Sequence, residues 1–169
     1  MSKLNDDAIM LKIVEQMEEI GITILDQTIF IKNLMVQKGL LTKKELTESQ
    51  KQDIEYGFNI AKQMGGLDIG QSVVMKDRMI LAIEAIEGTD RCIKRGGKLA
   101  KGKNAVVVKV SKPAQDKRFD IPAVGLRTVK TMKKYGANVL ALESGETIIA
   151  DQEQMVKYAN KHNITIVAI

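Results

Sequence analysis

The sequence predicts an α/β protein, a layered domain whose mixed, mainly parallel sheet is flanked by helices and includes one antiparallel hairpin. Helical patterns alternate along the chain with short aliphatic segments, as in domains of this class. A junction recurs in MEEIGITIL, MKKYGANVL and ANKHNITIV, where a helix end is followed by Gly or Asn and then an aliphatic run. The length of 169 residues predicts a single domain over 1–169 whose core needs no disulfide.

Five helices are predicted from apolar residues at helical spacing and from capping residues. Asn5 and Asp6 can cap the first helix, a capping box opens the second at Thr47, and Asp151 can cap the last. A Gly-Gly pair inside the third helix lowers its helix propensity. The predicted helices cover 7–20, 47–64, 90–100, the segment between Gly125 and Gly136, and the segment after Asp151.

Short runs rich in Val, Ile and Leu between these helices are predicted to be strands. They cover 22–25, 72–75, 79–84, 105–110, 138–142, 147–150 and 164–169. Lys76, Asp77 and Arg78 join the second run to the third, which indicates a hairpin. Residues 28–46 lack a regular period and are interpreted as an ordered connection with a turn at 38–39.

Composition excludes several classes of function. The chain has one cysteine, Cys92, and one histidine, His162, so neither an intramolecular disulfide nor a His-rich zinc site can form. Cys-His catalysis would require these two side chains to meet. No apolar run approaches the roughly 20 residues needed to span a bilayer. Because the acidic N-terminus also differs from a signal peptide, the protein is predicted to be cytoplasmic.

The charge is distributed asymmetrically. Residues 91–134 carry 14 basic and two acidic side chains, so the local net charge is 14 − 2 = +12. The remainder carries 12 basic and 19 acidic side chains, so its net charge is 12 − 19 = −7. A basic block of this kind attracts anions. Three classes of anion stay open at this point: nucleic acid, a phosphorylated metabolite and a membrane surface.

Two charged motifs follow predicted strands, at the edge where open α/β sheets bind ligands. The first is EAIEGTD, residues 84–90, where Gly88 permits close approach of the backbone and the next helix offers free amides to a phosphate. Glu84, Glu87 and Asp90 are candidate ligands for a hard divalent cation such as Mg²⁺. The alternative is an ordinary helix cap, which is the commoner role of Gly-Thr-Asp.

The second motif is KVSKPAQDKRFD, residues 109–120, and the two prolines of the protein, Pro113 and Pro122, restrain it. Its charged residues are Lys109, Lys112, Asp116, Lys117, Arg118 and Asp120. The cations can neutralise a phosphate, and the carboxylates can ligate a metal or orient a water. The alternative is a solvated loop with local ion pairs, which contribute little. The residues alone therefore predict an anion site, with or without a metal.

Four motifs occur together and in one order: LDIGQSVV (67–74), LAIEAIEGTD (81–90), VVVKVSKPAQDKRFDIPAVG (106–125) and VLALESGETIIAD (139–151). With the opening DDAIMLKIVEQMEEIG (6–21), they resemble the UDP-2,3-diacylglucosamine pyrophosphatase family of lipid A biosynthesis, the type unrelated to calcineurin-like metallophosphoesterases. The resemblance covers nearly the whole chain and corresponds to the family's C-terminal catalytic domain. It implies that the family's N-terminal domain is absent here and that catalysis depends on that domain.

The resemblance also implies a reaction and the residues that perform it. Family members hydrolyse the pyrophosphate bond of UDP-2,3-diacylglucosamine to UMP and 2,3-diacylglucosamine 1-phosphate, with Mg²⁺ or Mn²⁺ as cofactor. Asp120 is then expected to be the essential carboxylate, with Asp116 as the second choice. The expected substrate-binding residues are Thr89, Asp90, Lys109, Lys112, Gln115 and Arg118. A lipid-linked substrate implies peripheral contact with the inner membrane, and a homodimer is a further expectation.

A non-catalytic module that binds a nucleotide or nucleic acid is the alternative function. The +12 block favours it. Two features oppose nucleic acid as the partner: only three Phe and three Tyr are available to stack on bases, and Asp116 and Asp120 lie inside the block. Nucleic acid is therefore not expected.

Overall fold

A computed structural model describes residues 6–169, with side chains described from Ala8 onward. The strands are β1 (Gly39–Leu40), β2 (Ser72–Lys76), β3 (Met79–Ile83), β4 (Ala105–Lys109), β5 (Ala123–Val124), β6 (Ala137–Leu142), β7 (Ile148–Ile149) and β8 (Thr165–Ala168). The helices are α1 (Asp6–Glu19), α2 (Thr28–Ile31), α3 (Glu48–Gly66), α4 (Thr89–Leu99), α5 (Leu126–Tyr135) and α6 (Gln152–Lys161), with a 3₁₀ turn at Lys32–Leu34.

A six-stranded sheet in the order β1-β8-β6-β4-β2-β3 forms the centre of the molecule. Its three central strands, β4, β6 and β8, are parallel to one another. The flanking strands pair antiparallel: β2 and β3 form the predicted hairpin at one side, and β1 pairs with β8 at the other. The predicted mixed α/β sheet with flanking helices is confirmed.

Helices cover both faces of this sheet and create two apolar cores. On one face, α4, α5 and α6 bury side chains such as Ile93, Met132 and Met155 against the sheet. On the other face, α3 packs Ile54 and Ala61 against the sheet. Burial on both faces explains why β4 is a continuous run of buried residues rather than an alternating one.

The hairpin and the capping residues follow the sequence closely. Asp77 and Arg78 both have positive φ, as a tight two-residue hairpin turn requires. The buried Asp53 of α3 accepts hydrogen bonds from both of their amides. The capping box at Thr47 and the cap at Asp151 are formed. The caps predicted at Asn5 and Asp6 lie outside the part of the chain whose side chains are described.

The structure differs from the predictions between α1 and β2. The strand predicted over 22–25 is absent: Ile22 and Leu25 are exposed, and no strand within residues 6–169 pairs with this segment. The segment interpreted as a connection contains α2, the 3₁₀ turn and β1, which begins at Gly39 within the predicted turn. The strand predicted over 147–150 is reduced to β7, which pairs with β5 in a second small sheet. Within the described residues, no helix is long and apolar enough to cross a membrane.

Candidate phosphate site at the strand ends

The EAIEGTD motif (84–90) and the KVSKPAQDKRFD motif (109–120) lie together at the carboxyl ends of the parallel strands. Lys109 is the last residue of β4 and lies opposite Ser72, the first residue of β2. Glu84 directly follows β3 and donates its amide to the Ser72 carbonyl. Thr89 begins α4, so its side chain projects from a helix N-terminus at the same edge. Antiparallel pairing of β2 with both β3 and β4 therefore assembles residues that are distant in sequence.

Glu84, Thr89 and Lys109 form a hydrogen-bonded chain in the interior of the site. The Lys109 ammonium donates to the Thr89 hydroxyl at 2.9 Å, and this hydroxyl donates to Glu84 Oε1 at 2.9 Å. Only 4% of Lys109 and 7% of Glu84 is exposed. Burial lowers the pKa of Lys109, and the nearby charges of Glu84, Asp120 and Asp90 oppose that shift. A buried ammonium held among carboxylates is a fixed positive charge that a phosphate can approach.

Three buried oxygens at this edge lack a hydrogen-bond donor among the described residues. They are Gln71 Oε1, Glu84 Oε2 and Asp90 Oδ1. The other carboxylate oxygen of Asp90, Oδ2, accepts from Arg127 Nε at 2.9 Å. Arg127 therefore pairs with one oxygen of Asp90 and leaves Oδ1 without a donor. Buried polar atoms normally have partners, so three unpaired oxygens at one edge are positions that suit a ligand, a water or an ion.

Asp120 is held over this site by the loop that follows β4. The amide of Lys112 donates to Gln115 Oε1 at 3.0 Å, and Gln115 Nε2 donates to Asp120 Oδ2. The Asp120 amide donates to the Asp116 carbonyl at 3.0 Å, which closes a turn. Asp120 Oδ1 accepts no hydrogen bond within the described part of the chain, so one carboxylate oxygen is available to a water or a ligand.

Asp116 has a different environment from Asp120. Both of its carboxylate oxygens accept from the Arg118 guanidinium at distances between 2.7 and 3.2 Å. This hydrogen bonding lowers the pKa of Asp116. Arg118 also contacts Glu18 of α1 at 3.0 Å. The pair therefore fastens the loop, and neither side chain is directed at the strand ends by these contacts.

Two other predicted residues also have partners inside the protein. Lys112, predicted to bind substrate, contacts Asp68 at 2.6 Å. Glu87, predicted to ligate a metal with Glu84 and Asp90, forms an ion pair with Arg95 and accepts from the Ala85 amide. The hydrogen bond from the Arg95 guanidinium lowers the pKa of Glu87. Within the described residues, no three acidic, His or Cys side chains lie together as a metal site, so the predicted trio is not preassembled.

Sequence reasoning missed a second polar cluster at this edge. Lys62 of α3 donates to Glu143, which follows β6, at 2.9 Å and to the Ser111 carbonyl at 2.9 Å. Glu143 in turn accepts from the Ser111 amide at 2.8 Å. We call Lys62, Glu143 and the Ser111 backbone the Ser111 ring. The position of Glu143 at a strand end, within the VLALESGETIIAD motif, could have indicated a site residue. No sequence pattern, however, pairs Glu143 with Lys62.

Cys92 and His162 lie at opposite ends of the sheet. Cys92 is buried in the first turn of α4, and burial raises the pKa of its thiol to about 12. His162 stacks against Tyr158 at the end of α6 and lines a cleft of about 240 Å³ beside Ala137, the first residue of β6. These positions exclude Cys-His catalysis between the two residues.

The fold and this edge define a class: an α/β domain with a buried cation, carboxylates and a helix N-terminus at the carboxyl ends of its parallel strands, an arrangement that suits an anionic ligand. Residues 37–167 match the LpxI C-terminal domain family, and the chain belongs to this family. This match confirms the resemblance predicted from the four motifs.

A curated relative, UDP-2,3-diacylglucosamine pyrophosphatase LpxI from Caulobacter vibrioides, is similar over most of this chain. The two are 26% identical over 175 residues, which cover 99% of this chain and 62% of the relative. The chain therefore spans about three fifths of the relative's length.

Proposed function

We propose that this chain is the catalytic domain of a UDP-2,3-diacylglucosamine pyrophosphatase, which cleaves the lipid nucleotide to UMP and 2,3-diacylglucosamine 1-phosphate. Family membership and the relative's activity support the choice of reaction. The observation that carries the proposal is the buried Lys109, held by Thr89 and within electrostatic reach of Asp120. A diphosphate needs a fixed positive charge, and its hydrolysis needs a carboxylate that can take a proton from water.

In this proposal, each residue at the strand ends has one task. Lys109 and the amides at the start of α4 hold the diphosphate and stabilise the charge that develops on it. Asp120 accepts a proton from the attacking water through Oδ1, while Gln115 fixes the orientation of Oδ2. The water oxygen bonds to one phosphorus, the bridging P–O bond breaks, and the second phosphate leaves with that bridging oxygen.

Mg²⁺ or Mn²⁺ is part of the same proposal. Glu84 Oε2 and Asp90 Oδ1 are buried carboxylate oxygens without donors, so they fit a hard cation. Mg²⁺ in phosphoryl-transfer sites is commonly bound by one or two carboxylates, with substrate phosphates and waters completing its coordination. The residues present therefore suit an ion that is shared with the substrate. Such an ion would supply positive charge to the diphosphate.

The test is UMP release from UDP-2,3-diacylglucosamine by wild type, Asp120→Asn and the matched variant Asp116→Asn. The chain is assayed alone and together with the part of the relative that lies outside the alignment. We expect Asp120→Asn to lower kcat by at least about a hundredfold, because the proton acceptor is lost. Asp116→Asn loses only the ion pair with Arg118 and retains most of the activity. Full activity of Asp120→Asn would refute the assignment.

A further inference from the structure

A basic surface covers the outer side of α4 and α5. The two helices pack against each other on one face of the sheet, so their outward side chains form one continuous surface. Its cations are Arg91, Lys94 and Lys98 of α4, Arg127, Lys130, Lys133 and Lys134 of α5, and Lys101 and Lys103 between β4 and α4. We call this surface the α4–α5 basic face.

Few of these charges are neutralised within the protein. Arg127 contacts Asp90, whereas Arg91, Lys94 and Lys98 form no ion pair among the described residues. The sequence of α5, LRTVKTMKKY, contains no acidic residue. Clustered like charges repel one another and destabilise the folded state, so a face of this kind is best explained by an anionic partner.

The α4–α5 basic face begins at the candidate phosphate site. The first residue of α4, Thr89, contacts Lys109, and Arg127 in the first turn of α5 contacts Asp90. Ile86 lies between β3 and α4, beside the same site, and its side chain is fully exposed. An exposed apolar side chain at the edge of a cationic face suits an interface between water and lipid.

We propose that the α4–α5 basic face docks on an anionic phospholipid bilayer, with Ile86 entering the headgroup region beside the site. This inference rests on the proposed function and deepens it, because the diacyl substrate resides in a membrane and the face would bring the site to it. Nucleic acid fits less well. The tyrosines nearest the face, Tyr135 and Tyr158, lie beneath Lys134 and Lys130 and are not free to stack on bases.

The test is cosedimentation of the chain with vesicles of phosphatidylcholine alone or mixed with phosphatidylglycerol, without substrate or divalent cation. We expect binding to the anionic vesicles, with an affinity that falls as salt rises. Each cation near an anionic surface contributes about fivefold to partitioning, so the triple variant Arg91→Gln/Lys94→Gln/Lys130→Gln should bind about a hundredfold more weakly. Ile86→Asn should weaken binding by about tenfold.

The matched control is Lys38→Gln/Lys43→Gln/Lys51→Gln, which makes the same change in net charge at exposed positions outside the face. It should bind nearly as wild type. Equal losses in both triple variants, equal binding to both kinds of vesicle, or tighter salt-dependent binding to single-stranded oligonucleotide would each overturn the proposal. Vesicle binding requires no turnover. A chain that binds vesicles but releases no UMP, even together with the part of the relative that lies outside the alignment, would therefore refute the proposed reaction and leave this inference standing.

Discussion

At the scale of single residues, the buried ammonium of Lys109 has the most unusual environment in the candidate site. Burial removes water from its ammonium, and Thr89 supplies its hydrogen bond. The carboxylates of Glu84, Asp120 and Asp90 favour the charged form but do not fully offset the desolvation, so the pKa of Lys109 is lowered. The residue thus holds a positive charge that is costly to keep in the absence of an anionic ligand.

The lowered pKa of Lys109 makes a pH prediction. We expect kcat/KM to fall as pH rises through this pKa, below the ordinary lysine value of 10.5, because the neutral amine no longer attracts the diphosphate. Lys109→Arg should move this basic limb to higher pH, since guanidinium stays protonated. The measurement is kcat/KM as a function of pH for wild type and for Lys109→Arg. A limb that is unchanged in Lys109→Arg would show that another group titrates.

The same shift predicts the pH dependence of stability. The folded protein releases the Lys109 proton at lower pH than the unfolded chain does. In the window just below 10.5, the unfolded chain therefore binds more protons, and the free energy of unfolding rises with pH. Lys109→Met should remove this rise. Urea unfolding across the window, compared between wild type and variant, tests it; the same slope in both would contradict the assignment.

At the scale of elements, the Ser111 ring joins α3, the end of β4 and the end of β6. Lys62 and Glu143 bind both backbone groups of Ser111. The next residue, Lys112, donates its amide to Gln115, which in turn donates to Asp120. The ring is therefore two hydrogen bonds away from the carboxylate that we propose as the proton acceptor, and we expect it to position that carboxylate.

A double-mutant cycle tests this positioning role. Glu143→Ala should lower kcat by about tenfold with KM unchanged, because a displaced general base reacts poorly even when substrate is bound. In a Gln115→Ala background, Glu143→Ala should lower kcat little further, because both residues act on Asp120 through one connection. The decreases in unfolding free energy caused by the two substitutions should instead be additive. Glu146→Gln is the control, since it breaks the 2.9 Å pair with Lys117 on the same loop. Additive effects of the two substitutions on the free energy of activation would show that Glu143 does not act on Asp120 through Gln115.

Close packing of α4 on β2 at Gly96, and on Tyr135 of α5 at Gly97, explains the Gly-Gly pair that weakened the predicted third helix. A Cβ at Gly96 would lie 2.5 Å from Val74, so only glycine lets the helix approach the strand. Gly96→Ala should lower the free energy of unfolding by about 1–3 kcal/mol. The control, Gly66→Ala at the end of α3, has no neighbour nearer than 3.9 Å and should be neutral or slightly stabilising. Urea unfolding measures both, and equal stability of the two variants would contradict the packing argument.

At the scale of the whole molecule, the candidate site combines residues at the ends of β3 and β4 with the start of α4, and the metal ligands that we propose there are incomplete without substrate. Glu84 and Asp90 offer two oxygens, and no third acidic, His or Cys side chain joins them in the described chain. We therefore expect Mn²⁺ alone, and UMP alone, to raise Tm little. Together they should raise it by more than the sum, because each completes the other's site. A large shift with Mn²⁺ alone would indicate a preassembled metal centre.

Local signals in the sequence were sufficient for most elements. The capping box at Thr47, the cap at Asp151 and the left-handed Gly136 after α5 act within one turn of the chain, so their effect does not depend on distant residues. The run over 22–25 has the same aliphatic composition as the strands. Strand formation also requires a free edge beside it, which a linear pattern does not reveal, and this prediction was wrong.

By itself, the sequence determined the α/β class, the hairpin, the caps at Thr47, Gly136 and Asp151 and the two motifs at the strand ends, because each is encoded in neighbouring residues. Four motifs together identified the family. Only the tertiary structure decided which of the acidic side chains are paired within the protein. Asp116 is paired with Arg118 and Glu87 with Arg95, whereas Asp120 keeps an unpaired oxygen. It also placed Lys62 and Glu143 beside Ser111. Such contacts depend on which strands are neighbours in the sheet, and sequence separation carries no record of that.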